Sequence, residues 1–204
     1  MRKKRYIKMC KKVDIDDIKE KLQEILNKGR YKHTIGVCYT AMSLAMCYGE
    51  DIKKAELAGL LHDNAKCISD EKMLKKCRKH NIEISDAESR QPYLLHAKLG
   101  AFYASYKYGV DDNDVAEAIR YHTTGCPDMS MLQKIIYVAD YIEPGRDKAE
   151  NLSEIRKMAF NDIDKAVYMI LRDTISYLED NNKVIDDVSL RTYEFYCNML
   201  RNED

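Results

Sequence analysis

The sequence contains few residues that interrupt regular structure and no excess of either charge. It has no Trp, three Pro and eight Gly among 204 residues. Because Pro and Gly break regular elements, their scarcity argues against linkers and low-complexity segments. The 34 basic and 34 acidic residues cancel, which removes any whole-chain argument for binding nucleic acid or a membrane surface.

Long hydrophobic runs are also missing, so the sequence predicts no membrane-spanning segment. The first twelve residues, MRKKRYIKMCKK, contain seven basic residues and no acid. No apolar stretch of signal-peptide length follows them. We therefore expect residues 1–13 to be a solvated basic extension rather than a secretion signal or a dedicated phosphate-attracting arm.

The cysteines form no recognisable framework. The seven thiols are odd in number, scattered, and never spaced as C-x-x-C, so neither a disulfide scaffold nor a zinc knuckle is indicated. We expect them to serve mostly as small buried hydrophobes in a protein of the reducing cytoplasm.

Helical spacing of apolar residues runs through almost the whole chain, and no convincing two-residue alternation interrupts it. The spacing predicts an all-α protein with one domain over residues 14–204. Capping signals refine the expected helix ends: Gly29, Gly49 and Gly109 as stops, and Asp51 as the first residue before a helix. Helices are expected over about 15–28, 30–48, 52–62, 71–80, 93–108, 113–121 and 130–142, with three more between 153 and 200.

Five polar residues interrupt the apolar faces of these helices. They are His33, His62, His96 and His122, each on or at the end of an inward face, and Asp140 in the apolar run KIIYVADYI. A buried carboxylate has to be paired, hydrogen-bonded or metal-bound. Each residue alone has a plainer interpretation, since a lone inward His is usually a hydrogen-bonded core residue and Asp140 could pair with an arginine.

Taken together, however, four imidazoles with Asp63 and Asp140 would be a costly way to fill a neutral core, and a cation would remove that cost. Imidazole and carboxylate ligands without thiolate suit iron, manganese, cobalt, nickel or zinc rather than calcium. Adjacent residues of a helix point about 100° apart, so His62 and Asp63 reach one centre most easily at a helix C-terminus. Lys66, one turn further on, would offer a positive charge to an anionic substrate.

The ordered pattern of His33, the His62-Asp63 pair, His96, His122 and Asp140 resembles the HD-domain metal-dependent phosphohydrolases, which are helical. The phrases RYKHTIGV, AGLLHDNAK, LLHAKLGA, AIRYHTTG and IIYVADYIEPGRD are similar, more narrowly, to the YqeK family of symmetrical diadenosine tetraphosphate hydrolases. The resemblance covers about residues 14–197. The chain differs where Asp186-Asp187 replaces a more common His-Pro, so the resemblance says least about recognition of the base.

The resemblance implies a role for each matched position. The implied metal ligands, usually for iron, are His33, His62, Asp63 and Asp140, with a possible second metal at His96 and His122. The implied catalytic residues are Asp63, Lys66, His96 and His122. The implied substrate-binding residues are Lys66, Cys67, Ile68, Ser69, His96, His122, Thr123, Asp140 and Arg146, and the segment near 177–182 corresponds loosely to the adenosine site.

These positions predict hydrolysis of a phosphoanhydride. One cation, or two bridged by Asp63, would lower the pKa of a bound water and generate hydroxide beside phosphorus. Lys66, Arg146 and the Thr123 hydroxyl could stabilise charge on the non-bridging oxygens. The resemblance to the YqeK family implies symmetrical cleavage of diadenosine tetraphosphate into two ADP by a homodimer. The alternatives are another HD nucleotidase, acting on mononucleotides or guanosine alarmones, and a non-catalytic nucleotide-sensing module. Two residues keep two possible roles each. Arg30 could reach the substrate or a neighbouring helix, and Glu143 could form an ion pair with Arg146 or cap the turn.

Overall fold

The chain folds as a set of packed helices. A computed structural model describes residues 13–149 and 151–201, and within these ranges it contains eleven α-helices and no strand. The helices are α1 (Ile15–Ile25), α2 (Lys28–Tyr48), α3 (Ile52–Leu61), α4 (Asp70–Lys79), α5 (Asp86–Arg90), α6 (His96–Tyr108), α7 (Asn113–Tyr121), α8 (Met131–Ile142), α9 (Leu152–Ala159), α10 (Ile163–Asp180) and α11 (Asp187–Arg201). A 3-10 turn, Pro92–Leu95, precedes α6. The all-α prediction is confirmed. The basic extension lies almost wholly outside the described residues, so the domain boundary after residue 13 stays a prediction.

Most expected helix ends are where local chemistry places them. Asp51 caps α3 with its carboxylate, and Gly49 and Gly109 end α2 and α6 in the left-handed conformation. The prediction for Gly29 is wrong, because this residue lies in the first turn of α2. Asn27 instead caps α2 by accepting a backbone hydrogen bond with its side chain, so an Asx N-cap outweighs the glycine as the boundary signal.

The helix pair α2 and α3 approaches unusually closely. A Cβ atom on Gly59 would lie 2.8 Å from the Cα of Cys38, so any side chain there would push the two helices apart. Since Gly in a helix interior costs about 1 kcal/mol relative to Ala, close backbone packing is the compensating gain. The contact fixes His33 on α2 beside His62 at the end of α3, with ring centroids 5.4 Å apart.

The remaining helices complete two apolar clusters. The main core is shared by α1–α3 and α6–α11, and α8 packs against both α2 and α10. A smaller cluster joins α4 to α6 through residues such as Met73, Cys77 and Leu99. Among the described residues, no helix has both the length and the apolarity needed to cross a membrane.

Candidate metal centre

Six side chains predicted from the sequence to share one site lie together. His33 comes from α2, His62 and Asp63 from the end of α3, and His96 from the start of α6. His122 follows α7, and Asp140 lies in the last turn of α8. The six residues form three overlapping groups, and within each group the ligand atoms all lie within 4.8 Å of one another. The groups are His33, His62 and Asp63; His62, His122 and Asp140; and Asp63, His96 and His122.

Asp63 is the centre of this cluster, and its two oxygens face different pairs of histidines. Oδ2 lies 3.4 Å from Nε2 of His62 and 3.9 Å from Nε2 of His33. Oδ1 lies 3.2 Å from Nε2 of His96 and 3.7 Å from Nε2 of His122. A carboxylate placed between two pairs of imidazoles can serve one cation on each side.

The helix ends explain how adjacent residues reach one centre. His62 is the C-cap of α3, and Asp63 lies in the turn that follows, where the chain no longer follows the helical spacing. His122 occupies the corresponding C-cap position of α7. The expectation that the His62-Asp63 pair would lie where a helix ends is confirmed.

Three buried atoms of the cluster have no hydrogen-bond partner, although burying a polar atom unpaired is costly. They are Nε2 of His33, Nε2 of His62 and Oδ1 of Asp63. An imidazole nitrogen and a carboxylate oxygen are both metal-ligand atoms, and the cluster contains no thiolate. The donor set therefore fits a transition-metal cation rather than calcium.

The electrostatics of the cluster favour ionised acids and neutral imidazole. Burial alone would raise the pKa of Asp63, yet the neighbouring His62, His122 and His96 hold that pKa well below its usual range. The same balance of burial against His33 lowers the pKa of Asp140. Burial lowers the pKa of His96 from 6.5 to about 4. A neutral imidazole beside an ionised carboxylate is the protonation state that binds metal.

Asp140 and Asp63 each also pair with an arginine. Arg146 Nη2 lies 2.7 Å from Oδ1 of Asp140, which in turn lies 2.9 Å from Nε2 of His33. Asp140 thus faces a histidine and pairs with an arginine at the same time. Arg30 donates from Nη1 to Oδ2 of Asp63 at 2.6 Å. Of the two roles considered for Arg30, this contact is the one with the neighbouring helix, because Asp63 lies in the turn after α3.

The other predicted substrate-binding residues divide into two groups. Lys66 Nζ lies 3.1 Å from Nε2 of His96, and the hydroxyl of Thr123 lies 3.1 Å from Nε2 of His122. Burial lowers the pKa of Lys66, against the opposing effect of Asp63.

The segment after Lys66 turns away from the cluster. Ile68 packs against the smaller apolar cluster, and Ser69 precedes α4 at its N-cap. Cys67 is exposed beside Asn27, 3.7 Å from its amide. The three side chains therefore do not join the six-residue cluster, and their predicted contact with substrate stays untested.

A cavity of about 1170 Å³ opens from the cluster. His33, His122, Asp140 and Arg146 line one part of it, whereas Asp173 and Tyr177 of α10 line another. The volume exceeds the several hundred cubic ångströms typical of small-molecule sites. A ligand longer than a mononucleotide could therefore lie along it with its anionic part at the arginine.

Glu143 is the residue whose role the sequence left open. Its Oε1 lies 3.0 Å from Nδ1 of His33, and its Oε2 accepts a hydrogen bond from the Gly145 backbone at 2.6 Å. Glu143 therefore caps the turn, one of the two roles considered, and does not pair with Arg146. Its contact with His33 was missed because the two residues are 110 positions apart.

Comparisons with known proteins agree with this geometry. The family model described as HD domain matches residues 30–145, which contain all six residues of the cluster. A protein from Halalkalibacterium halodurans named "Bis(5'-nucleosyl)-tetraphosphatase, symmetrical" is 42% identical over 82% of this chain and 89% of its own. A protein of the same name from Bacillus subtilis is 38% identical over 85% of this chain and 92% of its own.

A solved structure has the same fold. It is a crystal structure from Clostridium acetobutylicum described as a "predicted HD superfamily hydrolase involved in NAD metabolism". The two superpose with a TM-score of 0.88 at 41% identity, over 91% of this chain and 98% of the other. With its cluster inside the matched region, this chain belongs to the HD-domain family and, within it, to the YqeK-type symmetrical bis(5'-nucleosyl)-tetraphosphatases.

Proposed function

We propose that this protein is a metal-dependent hydrolase that cleaves diadenosine tetraphosphate symmetrically into two ADP. The observation that carries the proposal is the convergence of four histidines and two aspartates beside a large cavity with Arg146 in its wall. The family relatives are named for this activity. Water adds to one of the two central phosphorus atoms, the bond to the central bridging oxygen breaks, and the departing ADP receives a proton.

The proposed metal ligands are His33, His62, Asp63 and Asp140, with His96 and His122 able to hold a second ion on the other oxygen of Asp63. The support is the placement of the two oxygens between two histidine pairs. When bound, a transition-metal cation supplies Lewis acidity that lets water attack near neutral pH. Iron is the metal we propose, in keeping with the nitrogen and oxygen donors, and elemental analysis of the purified protein tests it against manganese, cobalt, nickel and zinc.

The residues around the cluster would bind the phosphate chain. Arg146 is 43% exposed at the cavity wall while remaining paired with Asp140, so its guanidinium can also meet a phosphate oxygen. Lys66 and Thr123 stand beside His96 and His122, where charge on the non-bridging oxygens develops. Fixed donors at this place stabilise the transition state because they need no reorganisation.

The part of the cavity lined by α10 would receive an adenosine. Tyr177 is 54% exposed there, and an exposed aromatic ring can stack on a base. Asp173 has its carboxylate in the same wall, held by the amide of Asn151 at 2.9 Å, and can accept a hydrogen bond from a hydroxyl or amino group. Asp186, one of the two residues that depart from the family pattern, accepts the Val188 backbone N–H at the start of α11.

Product analysis in ¹⁸O-labelled water tests the reaction. Chromatography of the metal-loaded protein with diadenosine tetraphosphate should give ADP alone, and half of that ADP should carry one ¹⁸O on its terminal phosphorus. ATP with AMP would show asymmetrical cleavage and overturn the proposal. Release of inorganic phosphate, preference for mononucleotides or alarmones, or nucleotide binding without turnover would support the alternatives.

A matched pair of variants separates the metal centre from general damage. Asp63→Asn keeps the size of the central side chain but removes its charge, so metal content and turnover should both fall to background. His80→Gln alters the one histidine outside the cluster and should leave both unchanged. The His80 ring packs against Phe102, with the two ring centroids 4.5 Å apart. Equal activity in the two variants would exclude Asp63 from the site.

Two further expectations belong to the same proposal. A cytoplasmic location is supported by the free state of the six described cysteines. A homodimer is supported by the outer face of α2, where Tyr39 and Met46 are 60% and 63% exposed. Sedimentation of the wild type and of Met46→Glu tests the second point, since an interface at this face predicts dissociation of the variant.

A further inference from the structure

The four histidines of the cluster are oriented in two different ways. His62, His96 and His122 each place Nδ1 within 2.6–2.7 Å of the backbone carbonyl three residues earlier in the chain. These three lie at helix ends, where carbonyls or turns offer free acceptor positions. His33 lies inside α2 and instead meets the side chain of Glu143.

Glu143 is held tightly in the position that this contact requires. The residue is 4% exposed, and its second oxygen accepts the Gly145 N–H at 2.6 Å. Arg156 stabilises the same turn by donating to the carbonyls of Ile142, Glu143 and Arg146, each at 2.9 Å. The carboxylate therefore cannot turn away from His33 without losing a backbone hydrogen bond in a buried place.

Helix α2 has a gap that accommodates this carboxylate. A Cβ atom on Gly36 would lie 2.5 Å from Oε2 of Glu143 and 3.2 Å from its Cδ. Gly36 is one turn from His33 on the same helix. The carboxylate of Glu143 therefore occupies the space that a side chain at position 36 would need.

We propose that Glu143 is a positioning residue that fixes the ring orientation and tautomer of His33, and that Gly36 is required for it to do so. With Nδ1–H donated to Glu143, the lone pair of Nε2 faces Asp140 and Asp63, where the proposed cation would lie. An outer carboxylate of this kind also makes an imidazole a stronger ligand, and its loss commonly weakens metal binding by about 10-fold to 100-fold.

The hydrogen-bond inventory makes Glu143→Gln a sharp test. The two oxygens of Glu143 accept from two different N–H groups, but glutamine offers one accepting oxygen and one donating NH₂. If the amide oxygen keeps the Gly145 N–H, the NH₂ faces Nδ1 of His33 and drives the ring proton to Nε2. The ring then presents N–H to the cation instead of a lone pair.

The proposal rests on the metal centre of the proposed function, so the experiment measures metal binding without substrate. Mn²⁺ titration of chelator-treated protein, followed by the electron paramagnetic resonance of the free ion, should show affinity at least about tenfold weaker in Glu143→Gln. The matched control is Glu88→Gln. Glu88 is also buried and accepts both a backbone N–H, from Ser85, and a charged partner, Lys98, yet it lies outside the cluster. Its variant should lose stability while keeping wild-type Mn²⁺ affinity.

Gly36→Ala provides an independent arm, because it adds one methyl group and removes no polar atom. Its Cβ would lie 2.5 Å from Oε2 of Glu143, so we expect some loss of stability whatever Glu143 does, and a merely structural role predicts unchanged Mn²⁺ binding. The proposal predicts weakened binding by displacement of the carboxylate.

The outcomes separate the two proposals. Wild-type Mn²⁺ affinity in both Glu143→Gln and Gly36→Ala would overturn the role of Glu143 even if the enzyme makes two ADP. Equal weakening in Glu88→Gln would overturn it as well, since the effect would then follow from lost stability. Failure to form ADP by a wild type that binds Mn²⁺ would count against the substrate alone.

Discussion

The buried imidazole of His96 makes a prediction about acid sensitivity that can be worked out from the structure. Its side chain is fully buried, and its pKa falls from 6.5 to about 4 on folding. Lys66, His122, Asp63 and Thr123 all lie within 3.4 Å of Nε2. Burial disfavours the charged form, and the nearby ammonium of Lys66 reinforces that effect.

The sign follows from which state binds more protons. Between pH 4 and 6.5 the unfolded chain protonates this histidine and the folded protein does not, so acid favours unfolding. The stabilisation is complete above pH 6.5 and is lost as the pH falls towards 4, with a total of about 3 kcal/mol for a shift of about 2.5 pKa units. At pH 5 the loss is already about 2 kcal/mol.

Urea denaturation of chelator-treated protein, followed by far-UV circular dichroism, measures this loss. With a slope of about 2 kcal/mol per molar urea, the midpoint should fall by roughly 1 M between pH 7.5 and pH 5. His96→Gln removes the titrating group and should reduce that fall, whereas His80→Gln should not. The same pH dependence in His96→Gln and wild type would refute the assignment to His96.

Three other variants test separate parts of the structure. Asp63→Ala should abolish formation of ADP while circular dichroism shows the helical content largely retained. Arg146→Gln should raise KM for diadenosine tetraphosphate by about tenfold, the loss expected for one charged hydrogen bond, and a kinetic titration checks it. Gly125→Ala should lower the free energy of unfolding, measured by chemical denaturation, by about 1–3 kcal/mol. The reason is that Gly125 has a φ of 65° and that an added Cβ would lie 2.9 Å from Cγ2 of Thr192.

The helices could be predicted where the sequence carries several turns of apolar spacing. The boundaries at Asp51, Gly49 and Gly109 follow from side-chain capping and from glycine's tolerance of positive φ. The short helix α5 was missed because five residues contain too little of a helical period to detect. The sequence nevertheless marked the start of α5, because Ser85 and Glu88 have the spacing of a capping box. The two residues form that capping box in the structure.

The cluster could be predicted because its members are polar residues on faces that are otherwise apolar. That reasoning applies to His62 and Asp140, whose neighbours reveal which side of the helix is buried. It does not apply to Arg30 or Glu143, because their partners, Asp63 and His33, lie 33 and 110 positions away in the chain. The sequence alone does not show which distant residue a long side chain contacts.

The packing of helix ends against one another sets the geometry of this cluster. His62 and His122 follow the last residues of α3 and α7, and His96 begins α6, so the relative placement of these ends sets the distances between ligands. The contact at Gly59 holds α3 against α2, and the carboxylate of Glu143 holds α8 against the same helix through His33. A cation site assembled in this way requires α2 to lie close to α3 and to the end of α8 at once. Gly59 permits the approach of α3 to α2, and Gly36 permits the approach of Glu143 to α2.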